Sequence, residues 1–122
     1  MATYDTLTQI IEMPQRFNDV GTVSINELLS LTGYCQSYEN ISEADIANAL
    51  SQKTSVVNSW LTYSEDKRVP SGWYIKRNHN GTFIVGSQDG EAAYEDGIKA
   101  CAAFIKNEIE TLRQGILERT KA

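Results

Sequence analysis

Between Tyr94 and Ile116, apolar residues recur every three or four positions: Tyr94, Ile98, Cys101, Ala102, Phe104, Ile105, Ile109, Leu112 and Ile116. That is the period of one side of an α-helix, and it predicts a single helix over about 91–119. At about 1.5 Å per residue such a helix is roughly 40 Å long, more than the ~30 Å width of a small domain. The rest of the chain must therefore be laid against it. Its far end either projects toward a partner helix, as in a homodimer, or bends and frays near Gly115.

Ahead of that helix, Pro70-Ser71-Gly72 is a clear break, and the stretch "GWYIKRNHNGTFIVGS" follows. Asn80-Gly81 sits between aromatic and β-branched runs and suits a two-residue type I′ turn, in which both central residues need positive φ. The spacing predicts a hairpin of about Trp73–Asn78 against Thr82–Ser87, with Asn78 opposite Phe83 and Lys76 opposite Val85.

The first half reads as short helices. One covers Tyr4 to Met13, with Leu7, Ile10 and Ile11 on one side, until Pro14 ends or kinks it. Val20–Ser24 is β-branched enough for an edge strand. Ser24 and Glu27 fit a capping box for a helix carrying Leu28, Leu29 and Leu31, which Gly33 stops. "YCQSYENI" reads as a polar, aromatic loop. Ser42 then caps a helix to about Leu50, and another runs from about Ser55 to Tyr63 or on to Asp66.

The stretch "ADIANALSQKTSVVNSW" has the spacing of a helix-turn-helix. Ile46 and Leu50 anchor the first helix, Ala47 is the small contact residue, and Val57, Trp60 and Leu61 anchor the second. Ser51 and Gln52 stand where that motif usually carries a glycine and an apolar plug. Two helices, expected to cross steeply about "SQKT" and followed by a hairpin, resemble a winged helix over about 20–88. The resemblance implies DNA contact by Lys53, Thr54, Ser55 and Asn58 in the groove, and by Lys67, Arg68, Lys76 and Arg77 on phosphates. His79 lies in the same wing. The same spacing also describes two packed helices with no DNA role. The expected class is thus α+β and mostly helical, one domain over 1–122.

Charge pulls the other way. The chain carries −5 overall, with residues 1–50 holding one base against seven acids. Residues 51–80 hold five bases against two acids, a local basic segment that can face phosphates because distant charges are screened. An acidic protein-binding module (an inhibitor, antitoxin or immunity-type protein masking a basic partner) fits this balance as well as a regulator of transcription does.

Nothing points to catalysis, a metal or a cofactor. His79 is the only histidine, and no phosphate-binding glycine loop occurs. Cys35 and Cys101 lack metal-ligand or redox spacing and are expected to be buried or half-buried thiols. Glu108 and Glu110 read as a solvated helix face, and Trp73 and Tyr74 as packing residues. No run of 18 or more apolar residues predicts a membrane span. The opening residues lack the apolar block of a secretory signal, so a cytoplasmic protein is expected.

Overall fold

The computed structural model describes residues 4–20, 24–66, 72–87 and 89–121. In chain order these form α1 (Tyr4–Ile11), α2 (Met13–Val20), α3 (Ile25–Thr32), α4 (Tyr34–Ser37), α5 (Glu43–Gln52) and α6 (Val56–Asp66). Strands β1 (Tyr74–Arg77), β2 (Phe83–Ser87) and β3 (Gly90–Tyr94) follow, and then α7 (Gly97–Lys121). The class is α+β and mostly helical, with one small antiparallel sheet and a long C-terminal helix.

The whole fold is arranged around α7. Every residue from Ala100 to Ile105 is buried, as are Glu108, Ile109, Leu112 and Arg113. Around residues 100–105 the helix is enclosed on all sides, as a central element is, while Lys99 and Gln114 stay exposed nearer its ends. The alanines at 100, 102 and 103 keep it narrow enough for α3, α5, α6 and all three strands to pack on it. It starts later than its period suggests. Residues 91–94 are strand, and Asp96 Oδ1 accepts from the amides of Ile98 at 2.8 Å and Lys99 at 3.4 Å, fixing the helix start. Gly97 belongs there because a Cβ would meet the Phe83 ring at 2.8 Å.

The N-terminal helices close one side of the core. Pro14 has no N–H for the Ile10 carbonyl, and the chain kinks at Glu12 between α1 and α2 instead of ending. The strand expected over Val20–Ser24 is not borne out at its described ends. Val20 closes α2 and Ser24 caps α3, its hydroxyl accepting from the Glu27 amide at 3.1 Å; residues 21–23 lie outside the described residues. Gly33 stops α3 with φ 86°.

Residues 34–40, expected as loop, are instead α4 and a 3-10 turn over Tyr38–Asn40. The reason is burial: Tyr34 is 0% exposed and pins the segment to α7. Ser42 and Asp45 form a complete capping box at the start of α5. Trp60, also fully buried, donates from Nε1 to the Ile11 carbonyl at 2.9 Å, tying α6 to α1. Its ring meets Tyr63 and Phe104 edge-on.

The sheet has the order β1-β2-β3. The hairpin forms where expected, but one residue out of register: Arg77 faces Phe83 and Lys76 faces Ile84. Asn78 and Thr82 close a three-residue loop, with Asn78 N donating to Thr82 O at 2.8 Å and Gly81 N to Asn78 O at 3.2 Å. Gly81 has φ +88° while Asn80 does not have positive φ, so a type I′ turn is excluded. Asn80 spends its side chain locally: its Oδ1 accepts from the Thr82 amide at 3.1 Å and hydroxyl at 2.6 Å. That bond holds Asn80 outside the left-handed region, which moves the turn onto Gly81 alone.

Candidate functional site

The residues expected to touch DNA fall into two groups. Lys53 ends α5, Thr54 and Ser55 form the connection to α6, and Asn58 lies in the first turn of α6; all four are exposed. Lys76 and Arg77 are exposed on β1, which meets α6 near its other end, where Ser64 Oγ accepts from the Ile75 amide at 2.9 Å. From Asn58 to Ser64 is about 9 Å along a helix. Lys67 and Arg68 lie outside the described residues.

Acids of the same chain reach several of these bases. The Lys53 ammonium pairs with Glu12, whose other oxygen stands 3.7 Å from Arg16. Lys76 Nζ lies 3.9 Å from Glu91 and 5.7 Å from the centre of the Tyr74 ring. Arg77 rests over Phe83 at 5.0 Å. The expected helix pair is present as two separate helices. However, α5 packs on α7 and α1, and α6 on β1, α2 and α7, with no comparable contact between the two.

Two polar groups escaped the sequence reading, both on α7. Glu108, expected in solvent, is 0% exposed and accepts from the Tyr63 hydroxyl at 2.6 Å. Burial, reinforced by the Glu108 charge, pushes the Tyr63 hydroxyl well above the usual phenol range. Glu110 is half-buried at the centre of a second group. It accepts from Tyr34 Oη at 2.5 Å and from Arg113 Nε at 2.9 Å.

Lys106 Nζ donates to Tyr34 Oη at 3.0 Å and to the Ile41 carbonyl at 2.6 Å, while the Arg113 guanidinium lies 3.7 Å from the Tyr38 ring centre. Burial works against the Glu110 carboxylate, but the bonds from Arg113 and Tyr34 outweigh it and hold its pKa below the ordinary value. Burial lowers the Lys106 ammonium. Each of these side chains is spent on fastening residues 34–41 to α7. The only sequence signal was the i, i+3 pair Glu110 and Arg113.

Cys101 is buried, its thiol pushed up to about 12 by desolvation, and Cys35 is half-buried and likewise raised. Both thiols are free, as expected. His79 is exposed in the hairpin loop. Among the described residues no group of three or more His, Cys, Asp or Glu is placed to hold a metal ion, and no helix is long and apolar enough to cross a membrane.

The third strand carries the remaining surface feature. Residues Gly90 to Ala93 are exposed, and Tyr94 is half-buried. Because the Ile75 amide points away from β2, alternation makes Asn78–Thr82 and Lys76–Ile84 the hydrogen-bonded pairs of the first hairpin. In β3, then, Gly90, Ala92 and Tyr94 bond to β2, while Glu91 and Ala93 turn their backbone groups to the outer edge. On the core face Ala92 pairs with Val85, yet stays exposed. α7 leaves a shallow groove of about 370 Å³ there, lined by Trp73, Val85, Ala92, Tyr94 and Asn107 among others.

On the opposite face Tyr74 Oη donates to Glu91 across Gly86. A Cβ on Gly86 would lie 2.7 Å from that hydroxyl and 2.9 Å from the Gly90 carbonyl. Comparison with protein-family models, with curated proteins and with solved structures found no match to this chain.

Proposed function

We propose that this chain is a small acidic protein-binding module, of the inhibitor, antitoxin or immunity type, and that its partner is basic. One observation carries the reading. Of the three lysines that would meet DNA, the two within the described residues are already paired with acids of the same chain, Lys53 with Glu12 and Lys76 with Glu91. A phosphate would have to displace those carboxylates and approach a molecule of net charge −5. A basic protein is attracted instead, because Asp89, Glu95 and Asp96 stand exposed beside β3, and Glu91 on the strand, shared with Lys76, adds to the same sign.

The test pairs two measurements. Duplex genomic fragments are titrated at about 50 mM salt, where attraction is little screened, and the tagged protein is used to capture partners from nuclease-treated extract. The expected result is no DNA shift and a salt-sensitive, nuclease-resistant basic protein in the capture. Saturable DNA binding overturns the reading.

A helix-turn-helix regulator with a winged-helix core over about 20–88 is the second reading. It is favoured by the joint exposure of Thr54, Ser55 and Asn58 at the start of α6. In that case the double change Lys76→Ala with Arg77→Ala lowers the slope of log affinity against log salt by about 0.9 per lost phosphate contact. Asn58→Ala changes sequence preference more than slope.

A further inference from the structure

We propose that the outer edge of β3 is a docking strand for an extended basic segment of a partner protein, which adds to the sheet as a fourth strand. This rests on the protein-binding reading above and gives it a surface and a ligand chemistry. Three features of β3 converge on it.

The edge is open: the Glu91 and Ala93 backbone groups point away from β2, and neither meets a partner among the described residues. Such an edge is a template for main-chain pairing, which supplies affinity independent of side chains. The core-side face next to the edge is uncovered. An incoming strand would alternate its side chains between the two faces. One row would enter the groove beside Ala92, Tyr94 and Trp73, which favours β-branched or aromatic residues. The other row would run beside Glu91 on the opposite face.

Charge selects the occupant. Residues 88–97 contain Asp89, Glu91, Glu95 and Asp96 and no base, so the edge keeps a net negative charge even with Lys76 beside Glu91. In a two-fold antiparallel pairing centred on Ala92, Asp89 of one copy would stand opposite Glu95 of the other. Like charges set opposite each other in a ladder are destabilising, so a second copy is disfavoured. A segment alternating Lys or Arg with apolar residues satisfies both faces at once.

The probe is a dye-labelled peptide of alternating Val and Lys, about ten residues long so that it spans β3, titrated by anisotropy against the intact chain at low salt. Binding is expected, with slowed amide hydrogen exchange at Glu91 and Ala93. N-methylating one alternate set of peptide amides should abolish it, and both sets are tested because either can face the edge. Ala93→Pro removes an outward amide that the sheet does not use. It should weaken binding by about 3- to 10-fold, the equivalent of one hydrogen bond. If that variant does not fold, the N-methylated peptides and the exchange data on the unaltered chain decide. Equal binding of parent and both N-methylated peptides overturns strand pairing and leaves the protein-binding reading standing. A dimer in solution that Ala93→Pro dissolves overturns the basic occupant in favour of a second copy. Saturable DNA binding overturns the protein-binding reading itself.

Discussion

Along β1 the outward amide of Ile75 is met by Ser64 at 2.9 Å, and α6 packs against the strand. Along β3, by contrast, the outward groups of Glu91 and Ala93 lie on a strand with four exposed residues and meet no partner among the described residues. The two edges thus handle the same hazard differently. An unpaired row of amides and carbonyls invites another chain, and proteins either cover it or charge it. Here one edge is covered by a helix held through a buried indole, and the other carries acids. A covered edge is lost to partners, whereas a charged edge repels its own kind and stays available to a ligand of opposite sign.

The largest effect is expected from removing what holds the cover. Trp60→Ala empties a fully buried site, frees the Ile11 carbonyl and takes the edge contacts from Tyr63 and Phe104. A loss of about 3–5 kcal/mol is expected by urea unfolding. Exchange at the Ile75 amide should rise toward that of Ala93. An unchanged Ile75 amide would show that the cover does not depend on the indole.

Gly86→Val strikes the strand that both edges share. Its new side chain collides with the Tyr74 hydroxyl and the Gly90 carbonyl, and the cost should be about 1–3 kcal/mol in thermal unfolding. Both edges should loosen together. Ser64→Ala is narrower: it leaves the Ile75 amide without its acceptor, for about 1–2 kcal/mol. Exchange should quicken at Ile75 and stay the same at Ala93, which separates the two edges in a single experiment. Smallest of all, Lys76→Ala removes a pair between side chains 55% and 50% exposed and should change stability by less than about 0.5 kcal/mol. That result would show that the pair does not hold the fold.

What could be read from the residues was what short-range chemistry decides. The Ser42 cap, the Gly33 stop, the separate helices before and after Thr54, and the apolar period of α7 all depend on neighbours within a turn or two. Strand β3 was missed for the opposite reason. "EAAY" has helical composition and continues the period of α7, and only pairing with Phe83–Ser87 makes it a strand. The hairpin was placed but slipped by one residue, because the Asn80 side chain competes for the turn.

Of the candidate site, exposure of Lys53, Thr54, Ser55, Asn58, Lys76 and Arg77 was legible, but the acids facing Lys53 and Lys76 were not. Glu12 is 41 positions from Lys53, and Glu91 is brought to Lys76 by the unforeseen strand. Glu108 and Glu110 were misread because helices and strands packed on several sides of α7 bring Tyr63 and Tyr34 onto positions that a surface helix would leave in water.

The position of α7 in the chain has a consequence for how the molecule is made. Helices α3, α5 and α6 and all three strands pack on a helix that is translated after every one of them. At about 5–20 residues per second, synthesis of its 25 residues takes roughly 1–5 s. Until α7 follows them, the earlier elements lack the surface on which their apolar residues pack, Tyr34 and Trp60 among them. Closure of the core is therefore timed by α7, and nascent chains stalled before Gly97 should be the form that chaperones bind.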